Sequence, residues 1–251
     1  MKCGRKAIMW IALALCLICA VLLALALHSR AEHAKPASKD PEGAIAAQED
    51  EDRTVDVPVD FAAWQERNPD VYAWIEYPGT NVDYPIVQSA EDDAYYLRRD
   101  IDGKEAVAGS LYTEHTYNSK TFDDPVTVIY GHNMANRTMF GGLQSHIEAA
   151  DLASTEEYFY VYLPGRILTY RVVGGAPGDD AHILYYNDFS DPTEFSNYFG
   201  NLYAQSGGHV NLPGLLRPSP DDRVVILATC MNGEKYLRYL IIGVLTDDTA
   251  D

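Results

Sequence analysis

Three residues of this chain have the types and spacing for nucleophilic chemistry. Cys230 ends the apolar, β-branched run Val224–Thr229, and Arg238 stands just before a second such run, Tyr239–Leu245. Each run reads as a strand, and a hairpin between them returns the arginine to the thiol. A thiol at a strand end beside a cation suits a nucleophile, because nearby positive charge favours the thiolate. Taken alone, Cys230 reads equally well as a small buried hydrophobe. A third residue shifts the balance. Val126–Tyr130 is another β-branched run, and it leads into Gly131-His132-Asn133. Cys230, His132 and Arg238 thus all fall at strand termini.

Attack of a thiolate on an amide carbonyl has three needs. The thiol must lose its proton, the tetrahedral oxyanion needs a donor or cation, and the leaving amine must gain a proton. Cys230 fits the first, Arg238 the second and His132 the third. The other histidines, His28, His33, His115, His146, His182 and His209, share no motif and read as surface or satisfied side chains. The sequence holds no His-Glu-x-x-His, and its single Cys-x-x-Cys, Cys16 to Cys19, lies within the apolar run Ala7–Leu27, so it supports no metal site. It has no Gly-x-Ser-x-Gly elbow or phosphate loop either, and no cofactor is implied.

Tyr130-Gly131-His132-Asn133-Met134, then Met139-Phe140, then Leu227-Ala228-Thr229-Cys230 with Arg238 beyond, resembles the sortases, cysteine transpeptidases of the Gram-positive envelope. Asn68-Pro69-Asp70-Val71, Trp74-Ile75, Pro78-Gly79-Thr80-Asn81-Val82-Asp83-Tyr84-Pro85 and Val87-Gln88 resemble class B in particular. The resemblance runs from about residue 60 to the C-terminus. It implies the same three roles, with a thioester on Cys230 that an amine resolves. It implies secreted partners bearing an Asn-Pro-x-Thr-x type sorting signal, with a cell-wall precursor or a pilin lysine as acceptor. Substrate contacts are expected from Leu97, Ala228 and Thr229. Two positions depart from the class: Ala228 stands where serine is frequent, and Asp93 where asparagine is frequent. Both affect substrate contacts rather than the chemistry.

The site requires a particular hairpin. Asn232-Gly233 favours a tight two-residue turn. That register would set Leu227 opposite Arg238 and put the arginine on the face away from Cys230. The functional reading therefore predicts a wider loop, about 231–237, with Arg238 directly across from Cys230.

The elements that must hold these residues read as eight short strands with peripheral helices. Strands are expected at 73–77, 82–87, 109–112, 126–130, 158–163, 167–173, 224–229 and 239–245. Helical segments are expected after Asp60, around Tyr95-Tyr96-Leu97, at 139–146 and at 191–202. Phe195, Tyr198, Phe199 and Leu202 share one face of the last. Many short strands with Gly and Pro turns suggest a closed, mainly β barrel, which agrees with the sortase-type barrel the resemblance implies.

The chain divides into three parts. Ala7–Leu27 is 21 residues without a charge, enough to span a bilayer, and Lys2, Arg5 and Lys6 before it favour a cytoplasmic N-terminus. Residues 1–30 read as an uncleaved signal anchor, 31–57 as a flexible acidic linker and 58–251 as the catalytic domain. This arrangement sets the domain on the extracellular face of the cell membrane, held by a single pass. Of the 19 basic and 37 acidic residues, seven and eight precede position 58, so the outer domain is acidic by 17 formal charges. Such a surface excludes non-specific nucleic-acid binding. Cys230 is the only cysteine of the outer domain, so that domain forms no internal disulfide. Two other readings fit parts of the pattern. One is a different envelope cysteine peptidase or transpeptidase acting on peptidoglycan, and the other is a non-catalytic, membrane-anchored binding module.

Overall fold

The computed structural model describes residues 55–234 and 236–250. The expected membrane anchor and nearly all of the linker lie outside them. Among the described residues no helix is long and apolar enough to cross a membrane.

Eight strands close into a barrel. They are β1 (Val71–Tyr77), β2 (Val82–Val87), β3 (Leu111–Tyr112), β4 (Val126–Tyr130), β5 (Tyr158–Leu163), β6 (Arg166–Asp179), β7 (Val224–Cys230) and β8 (Leu237–Asp248). Their order around the barrel is β1-β2-β3-β4-β7-β8-β6-β5. Among the described residues four α-helices decorate it: α1 (Phe61–Arg67), α2 (Leu143–Ala149), α3 (Ile183–Tyr186) and α4 (Pro192–Tyr203). Asp60 caps α1, its carboxylate accepting from Ala63 N at 3.0 Å. Asp191 caps α4 in the same way through Thr193 N at 2.7 Å, with proline in the first turn.

The apolar run of β7 is buried on both faces. Val225 and Leu227 point into the barrel, where they pack with Ile75, Phe159 and Ile241. Val224, Ile226 and Ala228 point outward, against Leu240, Ile242 and the α4 residues Phe195, Phe199 and Leu202. A strand covered on both faces needs a continuous rather than an alternating apolar sequence. The expected apolar face of α4 is the one that supplies this cover.

Several expected boundaries shift, three of them for a clear physical reason. The helix expected at 139–146 starts only at Leu143. Arg137 and Met139 have φ of 63° and 53°, and this left-handed path carries Phe140 into the core before the helix can begin. The strand expected from Gly109 is only Leu111–Tyr112, because Gly109 turns with φ of 57°. The strand expected to end at Val173 runs on to Asp179, through Gly174, Gly175 and Gly178. Within the strand these glycines serve close packing. A Cβ at Gly175 would press on Ile147 and Tyr239, and one at Gly178 on Leu240. The longer β6 gives β8 a partner along its whole length, from Asp179↔Leu237 to Leu168↔Asp248.

Candidate active site

The histidine and cysteine motifs meet because β4 and β7 are parallel neighbours. Tyr130 pairs with Ala228, and Gly131 N donates to Ala228 O at 3.1 Å. Parallel strands end at the same rim, so His132 emerges beside the end of β7. Gly131 has a packing reason to be glycine: a side chain there would collide with Leu111 and Phe140. Phe140 N in turn donates to His132 O at 3.0 Å, which ties the Met139-Phe140 part of the motif to the histidine backbone. Asn133 joins the two rims directly, donating from Nδ2 to Cys230 O at 2.7 Å and to Asn232 Oδ1 at 2.9 Å.

Arg238 arrives by the wide hairpin. Cys230 pairs with Arg238 across β7 and β8. Met231 N donates to Leu237 O at 3.0 Å, and Glu234 N to Met231 O at 3.4 Å. Gly233, with φ of 78°, turns inside this loop rather than closing the ladder. Opposed residues of a ladder share a face. Cys230 and Arg238 therefore project to the outer side, the side of Ala228 and Leu240. Cys230 is exposed, which removes the reading of it as a buried hydrophobe. Among the described residues no carboxylate lies within ion-pair distance of Arg238; its guanidinium makes one long hydrogen bond, from Nη1 to Leu237 O at 3.4 Å.

His132 Nε2 lies 2.8 Å from Leu97 O. A carbonyl only accepts, so Nε2 carries a hydrogen, and Nδ1 is the nitrogen left for chemistry. Leu97 belongs to a 3-10 turn, Tyr95–Arg98, and is itself exposed. It is thus a wall residue of the site and not part of the core.

A cavity of about 240 Å³ joins these groups; Cys230, His132, Arg238, Leu97, Ala228 and Thr229 all border it. Thr229 differs from the rest. Its position between Ala228 and Cys230 turns its side chain to the barrel interior, where it is buried and its hydroxyl has no partner. The cavity also takes in Tyr112, Glu114, Tyr130 and His182, which the motifs did not single out for the site. Burial pushes the Tyr112 and Tyr130 phenols well above their ordinary pKa, and the Glu114 charge adds to both shifts; Arg238 opposes the shift at Tyr112. Each remaining described histidine has a carboxylate partner. His115 is 2.6 Å from Asp93, His146 2.9 Å from Glu157, His182 3.0 Å from Glu114 and His209 2.7 Å from Glu148. Of these only His182 borders the cavity. Among the described residues no group of three potential metal ligands comes together.

A nucleophilic thiol, a guanidinium without a carboxylate partner on the same face and an imidazole at the same rim can together perform acyl transfer from an amide through a thioester. Comparison with known proteins points the same way. No family model matches the chain. Over 174 residues it is 30% identical to Sortase B of Listeria monocytogenes, covering 68% of this chain and 67% of that protein. A class B sortase of Streptococcus pyogenes, one involved in pilus biogenesis, superposes with a TM-score of 0.60 at 25% identity, over 75% of this chain and 98% of its own. Sortase B of Clostridium perfringens superposes with a TM-score of 0.63 over 74% and 86%; at 24% identity it attests the fold alone.

Proposed function

This chain belongs to the class B sortases and is a cysteine transpeptidase, and from that premise we propose how its own residues divide the reaction. The Cys230 thiolate attacks the carbonyl of the signal threonine. The oxyanion forms beside the Arg238 guanidinium. As the C–N bond breaks, His132 gives a proton to the leaving amine, and the acyl group stays on sulfur as a thioester. An incoming amine then attacks, the new amide forms, sulfur leaves as thiolate and His132 takes the proton. The observation that carries this assignment is the Cys230↔Arg238 pair, with His132 brought alongside by the β4–β7 pairing. The donor substrates are secreted proteins with an Asn-Pro-x-Thr-x type signal, and the acceptor is an amine of a cell-wall precursor or of a pilin. Incubation with such a peptide, without an acceptor amine, is expected to add the acyl mass to the peptide fragment containing Cys230. A Cys230 fragment that stays unmodified while the peptide is cleaved rules out the thioester.

The reading extends to location. Residues 1–30 anchor the protein by one membrane pass through Ala7–Leu27, residues 31–57 tether it, and residues 58–251 work on the extracellular face. The charge-free length of Ala7–Leu27 and the acidic run Glu49-Asp50-Glu51-Asp52 support this order. Deleting residues 1–30 is expected to give a water-soluble domain with the peptide-cleaving rate of the whole chain. Its aggregation with loss of β structure would mean that the barrel needs the N-terminal segment.

A further inference from the structure

Asn232-Gly233 favours a type I′ turn, which needs φ above zero at both residues. Gly233 meets that need, with φ of 78°. Asn232 does not: among the described residues Phe122, Arg137 and Met139 are the non-glycine ones with positive φ. Glu234 N donates to Met231 O across the same four residues. A glycine with φ of about +80° at the third position makes this a type II turn. The local preference is overridden, and the neighbours of Asn232 account for it.

Asn232 is held by two side chains. Its N donates to Gln144 Oε1 at 2.9 Å, and its Oδ1 accepts from Asn133 Nδ2 at 2.9 Å. Asn133 Nδ2 also donates to Cys230 O at 2.7 Å. A backbone N–H only donates and a carbonyl only accepts, so the Gln144 and Asn133 amides can each face only one way. Both holders are themselves anchored. Gln144, on α2, is 3% exposed, and its Nε2 donates to Glu148 Oε1 at 2.7 Å. Asn133 bridges to Met139, next to the bond from Phe140 N to His132 O. The clamp acts where the core does not. Every β7 residue from Val224 to Thr229 is buried, so the ladder up to Thr229↔Tyr239 is fixed by packing. Cys230↔Arg238 is the last pair, and its thiol is exposed.

We propose that Asn133 and Gln144 are positioning residues. They hold Asn232 out of the left-handed conformation that a tight turn requires, and so keep Arg238 across from the Cys230 thiol. Neither residue borders the catalytic cavity, so both act through the hairpin and not on the substrate. This rests on Arg238 being the partner of the oxyanion.

The test measures kcat and KM of the full-length chain on a fluorogenic Asn-Pro-x-Thr-x peptide. Gln144→Leu keeps the volume but gives Asn232 N no acceptor. Asn133→Ala removes both donated hydrogen bonds and, at a half-buried position, serves if the first variant does not fold. Each is expected to lower kcat at least about 10-fold with KM within about 2-fold of wild type, because a small misplacement of the oxyanion partner is felt in the rate. Adding Asn232→Pro is expected to bring kcat back to within about 3-fold of wild type, since proline fixes φ at about −65° and suits the second position of a type II turn. In an Arg238→Ala background the same substitutions are expected to cost less than about 2-fold more, because they act through the group already removed. An unchanged kcat in the folded variants overturns the inference. So does a loss that proline leaves in place, or one that is as large without Arg238. If Arg238→Ala alone keeps the wild-type kcat, the role given to Arg238 falls and this inference falls with it.

Discussion

Cys230→Ala is expected to leave a folded barrel that neither forms the thioester nor turns over peptide. The rate should fall by at least about 10⁴-fold, the scale on which loss of a covalent nucleophile is felt. The fold should not notice. Cys230 is exposed at the last position of β7, and its ladder contact with Arg238 is made by backbone. Exposed substitutions away from special features stay within about 0.5 kcal/mol, so the melting temperature should move by only a few degrees. Cleavage of a fluorogenic Asn-Pro-x-Thr-x peptide measures the first effect and thermal unfolding the second. Residual turnover near the wild-type rate would remove Cys230 from the chemistry. Lost activity together with a large fall in melting temperature would mean instead that the thiol is structural.

The sequence was most legible where a functional requirement and strand geometry could be set against each other. Asn232-Gly233 alone argues for a tight turn, yet that register turns Arg238 away from the thiol. The observed Cys230↔Arg238 pair follows the functional requirement, and Gly233 is used inside a wider loop. Three other features could not be read from the chain. Parallel pairing of β4 and β7 leaves no local signal, because both strands are short apolar runs some hundred residues apart. Only closure of the barrel makes them neighbours. The extension of β6 past Val173 is another, because nothing local reveals that Tyr239 and Leu240 will pack against its glycines. Glu114 is the clearest case. It follows a two-residue strand in no recognisable motif, and its place in the cavity depends on β3 lying beside β4. Chemistry carried by strand ends was visible, while the walls supplied by other segments emerged only with the fold.

His132→Ala is expected to cost at least about 10²-fold in the acylation rate, the contribution of a positioned general acid. The leaving group of an amide is a poor one until it is protonated, so the acid matters most at the step that breaks the C–N bond. The structure adds a complication, because His132 also links the β4 rim to the Leu97 turn through Nε2 at 2.8 Å. A lost rate alone would not separate proton transfer from a displaced wall. Two measurements do. His132→Gln can still donate an N–H to the Leu97 carbonyl but cannot serve as the acid, so it should be as impaired as the alanine variant. An ester substrate whose alkoxide leaves without needing a proton should recover much of the lost rate in both variants, because only the acid is missing and the thiol and Arg238 are intact. If glutamine restores amide cleavage, His132 is a positioning residue for the Leu97 wall. If ester and amide suffer equally, the imidazole acts before the C–N bond breaks, by drawing the proton from Cys230, and the leaving amine takes its proton elsewhere.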